Sequence, residues 1–156
     1  MDKSRKAIAV FQGKLKGYVK FRQRDSKSPV RISGLIENLS PGKHGFHVHL
    51  YGNLLKTDCS KCGGHFNPYR KNHGGLNSKN SHAGDLGNIT ANKDGIARFY
   101  LKTPKMSLFG EKKNILGRSI VVHKNPDDLG KGGFEDSLET GHSGPRLDCA
   151  VIGRDS

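Results

Sequence analysis

Apolar and polar residues alternate with a period of two through most of the first fifty positions. "AIAVFQG" (7–13), "KLKGYVKFRQ" (14–23), "PVRISGLIEN" (29–38) and "GFHVHLYG" (45–52) follow one another as candidate strands. Gly13, the "RDSKS" cluster and "SPGKHG" supply the breaks. The character changes over 52–88, which is polar and rich in Gly and Asn. A loop this long inside a compact domain is normally functional or disordered, and its metal-ligating side chains favour order imposed by an ion. Strands resume at "ITANKDGIARFYLKT" (89–103), where Asp94-Gly95 is a hairpin signal, and at "RSIVVHKN" (118–125). A second Gly-rich loop over 126–147 precedes the last strand, "DCAVIG" (148–153). No helical pattern of three turns appears. The expectation is one all-β domain over residues 1–156, with two long loops.

Composition agrees: 21 glycines, no tryptophan and 33% hydrophobic residues suit short strands joined by loops. No apolar run approaches the roughly 20 residues that span a bilayer. The basic N-terminal stretch has no apolar signal core, so the expectation is a cytoplasmic protein with no membrane partner. The formal net charge is +13, and residues 1–40 hold ten Lys or Arg against three acids. Such an excess points to weak polyanion binding through a basic surface. In "KLKGYVKFRQR" the basic residues alternate with apolar ones, which is also how solvated strand faces look.

Eight histidines change the picture. His47 and His49 lie at i and i+2 of a strand, so both imidazoles share one face, roughly 6.5–7 Å apart along the backbone. One metal ion can bridge that span. The loop adds His65, His73, His82 and Asp85, an N, N, N, O set that suits tetrahedral zinc. His123 could complete a four-nitrogen set with His47, His49 and one loop histidine, and such sets suit copper. Spacing leaves open which histidine serves which metal, and it leaves open a single-metal site. Cys59 and Cys62 form a CxxC without a second pair, and Cys149 makes the cysteine count odd.

The ordered motifs "GKHGFHVH", "GGHFNP", "HGG", "HAGDLGN", "GRSIVVHKNPDDLGKGG", "TGHSGPRLDC" and the final "VIG" resemble the copper/zinc superoxide dismutase family over nearly the whole chain. The resemblance implies a Greek-key β-sandwich or barrel of about eight antiparallel strands. It also implies disproportionation of superoxide to dioxygen and hydrogen peroxide by copper redox cycling. Carried over by position, His47, His49, His65 and His123 fall at copper ligands. His65, His73, His82 and Asp85 fall at zinc ligands, with His65 shared between the metals and donating a proton in catalysis. Asp127 matches the carboxylate joining a copper-bound to a zinc-bound histidine, and Arg146 the catalytic arginine that receives the anion. Cys59 and Cys149 match the family's disulfide. Cys62 is extra to that pair, and is expected to be a free thiol that competes for Cys149 or recruits an intermolecular partner, the alternative being an inert buried cysteine. Glu139 stands where the family commonly has a lysine that guides superoxide. The resemblance further implies a homodimer, with contacts expected at Gly52, Ile115, Gly117 and Ile152, and a copper-delivery chaperone as partner. The alternative reading is a non-catalytic copper/zinc-binding relative, serving copper delivery or acting as a decoy.

Overall fold

The computed structural model describes residues 3–156; Met1 and Asp2 lie outside the described residues. Among the described residues, nine strands form two antiparallel sheets. β1 (Arg5–Phe11), β2 (Lys16–Gln23), β3 (Val30–Glu37) and β6 (Ala97–Thr103) build one sheet in the order β6-β3-β2-β1, with the short β9 (Gly153–Arg154) on its edge. β4 (Gly42–His49), β5 (Asp85–Ala91), β7 (Ser119–His123) and β8 (Arg146–Val151) build the other, in the order β5-β4-β7-β8. The chain changes sheet between β3 and β4, returns between β5 and β6, and crosses again to β7. This is the expected all-β sandwich, and each predicted strand is present within a few residues of its expected bounds. The Asp94-Gly95 turn forms, with Gly95 at φ 77, a conformation that costs glycine little, but it leads β5 of one sheet into β6 of the other instead of pairing them as the expected hairpin. The only helical pieces among the described residues are a 3₁₀ turn (Ser60–Cys62) and α1 (Ser137–Thr140).

Period-two alternation fixes what each sheet buries. Ala7, Ala9, Phe11, Val19, Phe21, Ile32 and Ile36 turn inward from the first sheet and meet Phe46, Val48, Ile120 and Val122 from the second. Phe46 and Phe99 join the two sheets edge to face at 5.1 Å between ring centroids, a favoured aromatic geometry. β4 is buried on both faces. Its core face carries Phe46 and Val48, and its outer face carries His47 and His49 beneath the loops.

Of the four expected dimer contacts, Gly117 is exposed and Gly52 half-exposed, while two isoleucines turn inward. Ile115 and Ile152 are fully buried in the chain's own core, because Gly117 N–H donates to Ile152 O and Ile152 N–H to Arg118 O, folding this segment inward. Gly52 packs against Gly117 O within the chain. The exposed apolar side chains nearby are Val10, Tyr51, Leu54 and Val151.

Candidate metal centre

Backbone docking places the first loop over β4. Val48 N–H donates to Gly84 O (2.9 Å), and Phe66 N–H to Val48 O (2.8 Å). His65 is thereby paired with His49 in an isolated antiparallel bridge. A Cβ at Gly84 would collide with Val48 O, so only glycine allows this approach. Two β-bulges aim side chains at the site. One lies between Gly45 and His47 in the β4–β5 ladder, after which His47 faces Asp85. The other lies between Val122 and His123 in the β7–β8 ladder, after which His123 faces Arg146.

Ligand atoms of His47, His49, His65 and His123 all lie within 4.8 Å of one another. One ring nitrogen of each is tied back to the protein. His47 Nε2 meets Asp127 Oδ2 at 2.6 Å, His49 Nδ1 meets Gly63 O at 2.8 Å, and His123 Nδ1 meets Gly144 O at 3.1 Å. His65 Nδ1 lies 2.9 Å from Asp85 Oδ1. The opposite nitrogens converge: His49 Nε2 and His123 Nε2 are 3.3 Å apart, while His47 Nδ1 and His65 Nε2 are buried with no hydrogen-bond partner. Buried polar atoms left unpaired in this way call for an explanation, and an ion at their focus supplies one.

The second set centres on Asp85. Its Oδ1 lies 2.9 Å from His65 Nδ1, 3.0 Å from His73 Nδ1 and 3.2 Å from His82 Nδ1. Tetrahedral zinc with bonds of about 2.0–2.1 Å sets its ligand atoms roughly 3.3 Å apart, close to these three distances from Asp85 Oδ1. Asp85 Oδ2 is held by N–H donors from Gly74 (3.0 Å) and His82 (2.8 Å). Asp127 links the sets, because its Oδ1 also meets His73 Nε2 at 2.8 Å.

The electrostatics of the first set suit cation capture. Burial holds His47, His49 and His65 below the ordinary histidine range, and mutual repulsion among the imidazoles adds to the effect on each. His123 is pushed down to about 4, chiefly by burial. These rings are neutral at pH 7, the form that binds metal. Burial also depresses His73, but Asp127 and then Asp85 outweigh it and raise it to about 9. Burial would raise Asp85, yet hydrogen bonds from His65, His73 and His82 hold it far below the carboxylate range. Arg146 lies opposite His123, half-buried, with Nη1 donating to Cys59 O at 2.7 Å. Cys59 is joined to Cys149 on β8 by a disulfide that closes a separation of 90 residues.

Every residue expected at the site is therefore in one neighbourhood. His44 and His142 are not part of it. His44 has both ring nitrogens against backbone carbonyls, of Ser40 and His123, and His142 binds Asp136 and stacks on Phe134. Two residues that support the site gave no signal in the sequence. Asn88 grips the backbone of Asp127 from β5, accepting its N–H at 2.7 Å and donating to its carbonyl at 3.0 Å. Lys105 donates to Ser78 O (2.5 Å) and to Ser81 Oγ, pinning the loop just before His82. Asn in "GDLGN" reads as a turn residue, and Lys105 reads as one more surface charge.

The copper/zinc superoxide dismutase family model matches residues 15–152. The chain belongs to the copper/zinc superoxide dismutase family. It is 49% identical to superoxide dismutase [Cu-Zn] 5 of Dictyostelium discoideum, over 94% of this chain and 95% of that relative. It is 48% identical to superoxide dismutase [Cu-Zn] A of Xenopus laevis, over 95% and 97% of the two chains. It is accordingly an oxidoreductase of that family, with copper and zinc as cofactors. Among the described residues no helix is long and apolar enough to cross a membrane.

Proposed function

We propose that this superoxide dismutase divides its work among the residues as follows. His47 Nδ1, His49 Nε2, His65 Nε2 and His123 Nε2 would hold copper. His65, His73 and His82 through Nδ1, with Asp85 Oδ1, would hold zinc, with His65 serving both sets. The carrying observation is that every histidine of the first set has one nitrogen anchored and the other turned to a common focus. Copper bound there would supply the redox couple for dismutation, and redox-inert zinc would shape the site.

The chain's own groups do the rest. Arg146, opposite His123 and tethered to Cys59 O, attracts the anion and orients it with a rigid, permanently charged donor fork. Asp127 holds His47 and His73 in fixed ring orientations. Two superoxides and two protons give one dioxygen and one hydrogen peroxide, and His65 Nε2 is the buried atom that would hold one of those protons whenever it is not bound to the metal. Anomalous diffraction at the copper and zinc edges on the reconstituted protein tests the assignment. Copper among His47, His49 and His123, and zinc beside Asp85, is the expected result. One mixed site, or the reverse placement, overturns it.

The active form is read as a homodimer. Tyr51 O accepts from Ser119 Oγ at 2.7 Å, and Ser119 pairs with Val151 in the β7–β8 ladder, which sets two exposed apolar side chains side by side. Val10 and Leu54 line a neighbouring depression. A separate copper-delivery protein is the expected source of the buried copper.

A further inference from the structure

The outer face of the five-stranded sheet carries a row of like charges. Lys6 stands opposite Arg22, Arg22 opposite Arg31, and Arg31 opposite Lys102. All four are exposed. With strands about 4.8 Å apart, the row runs roughly 14 Å across β1, β2, β3 and β6. The next row on this face reads Ile8, Lys20, Ser33, Tyr100, and the third reads Val10, Tyr18, Leu35, Arg98. No acid occupies any of these twelve positions. Like charges directly opposite one another weaken a sheet.

Two tyrosines separate this face from a plain cationic surface. Tyr100 is 57% exposed, and its hydroxyl accepts from Arg31 Nη1 at 2.5 Å, which orients the ring among the charges. Tyr18 is 39% exposed, with Lys20 Nζ 5.3 Å from its ring centre. Lys6, Lys20, Arg22, Arg31 and Tyr100 line one shallow depression of about 440 Å³, with Asp155 also among its lining residues. Cations that track a backbone, interleaved with exposed aromatic rings, are how proteins bind unpaired strands without reading sequence.

We propose that this face binds single-stranded nucleic acid, with phosphates on Lys20, Arg31 and Lys102 and a base stacked on Tyr100. A duplex hides its base faces, and a sulfated glycan has none. The face belongs to the sheet that carries no metal ligand, so binding and dismutation are separable. The test is fluorescence anisotropy of labelled dT12 with the full-length, metal-loaded protein at low salt. Binding is expected, and Lys20→Gln/Arg31→Gln/Lys102→Gln weakens it by about 10-fold or more. Tyr100→Ala weakens dT12 by about 5-fold or more and leaves heparin binding unchanged. At high ionic strength, where long-range steering is screened, dismutation stays at the wild-type rate in both variants, which also reports that they fold. No dT12 binding, or binding that survives the triple variant, overturns the proposal. So does heparin, duplex DNA or anionic vesicles bound as tightly as dT12 with Tyr100→Ala without effect.

Discussion

Asp127 meets His47 Nε2 at 2.6 Å and His73 Nε2 at 2.8 Å, so one carboxylate orients a histidine in each ligand set. Its backbone is fixed in turn by Asn88. Groups that orient ligands in this way typically carry about 10- to 100-fold in metal affinity. Asp127→Asn is therefore expected to lower zinc and copper affinity together by that order in chelator competition. Unchanged affinity for both metals would show that the rings are held by packing alone. His65 owes its place between the two sets to backbone pairing with His49 and to the Asp85 carboxylate on its Nδ1.

At the scale of elements, β4 does two jobs because its two faces are buried differently. Phe46 and Val48 enter the core, while His47 and His49 are covered by loops. That division was legible from alternation alone, as were the strands and the Asp94-Gly95 turn. The partition of histidines was not. Imidazole spacing along a chain says nothing of which nitrogen is anchored, and the anchors here are carbonyls of Gly63 and Gly144 from two separate loops. The bulges that swing His47 toward Asp85 and His123 toward Arg146 depend on ladder register, which period-two patterning does not encode. Cys62 is the clearest revision. It is a free thiol, as expected, but it is fully buried against Cys59 and Val121, with its Sγ 3.5 Å from Asn53 O. Burial removes the intermolecular route that the sequence left open. Peptide mapping of the non-reduced protein is expected to find Cys59–Cys149 alone, with Cys62 slow to alkylate until the chain unfolds. A Cys59–Cys62 or Cys62–Cys149 peptide, or rapid native alkylation, would restore the exchange reading.

Across the whole molecule, the net charge of +13 acts on an anionic substrate well before contact. Fields of this kind raise on-rates by about 10- to 1000-fold and fade with salt. The dismutation rate is thus expected to fall as ionic strength rises. Glu139, exposed on α1, works against that field locally. Glu139→Lys is expected to raise kcat/KM by about two-fold at low salt, with the gain shrinking as salt is added. A rate flat in salt, or no gain from the variant, would remove steering from the account. The central claim is that two ligand sets sharing His65 make a working copper and zinc centre. Metal analysis of the loaded protein combined with a superoxide-dismutation assay tests it most directly. The prediction is one copper and one zinc per chain, with dismutation that disappears when copper is stripped and returns when it is restored. Zinc bound without copper, and no activity after copper loading, would contradict it.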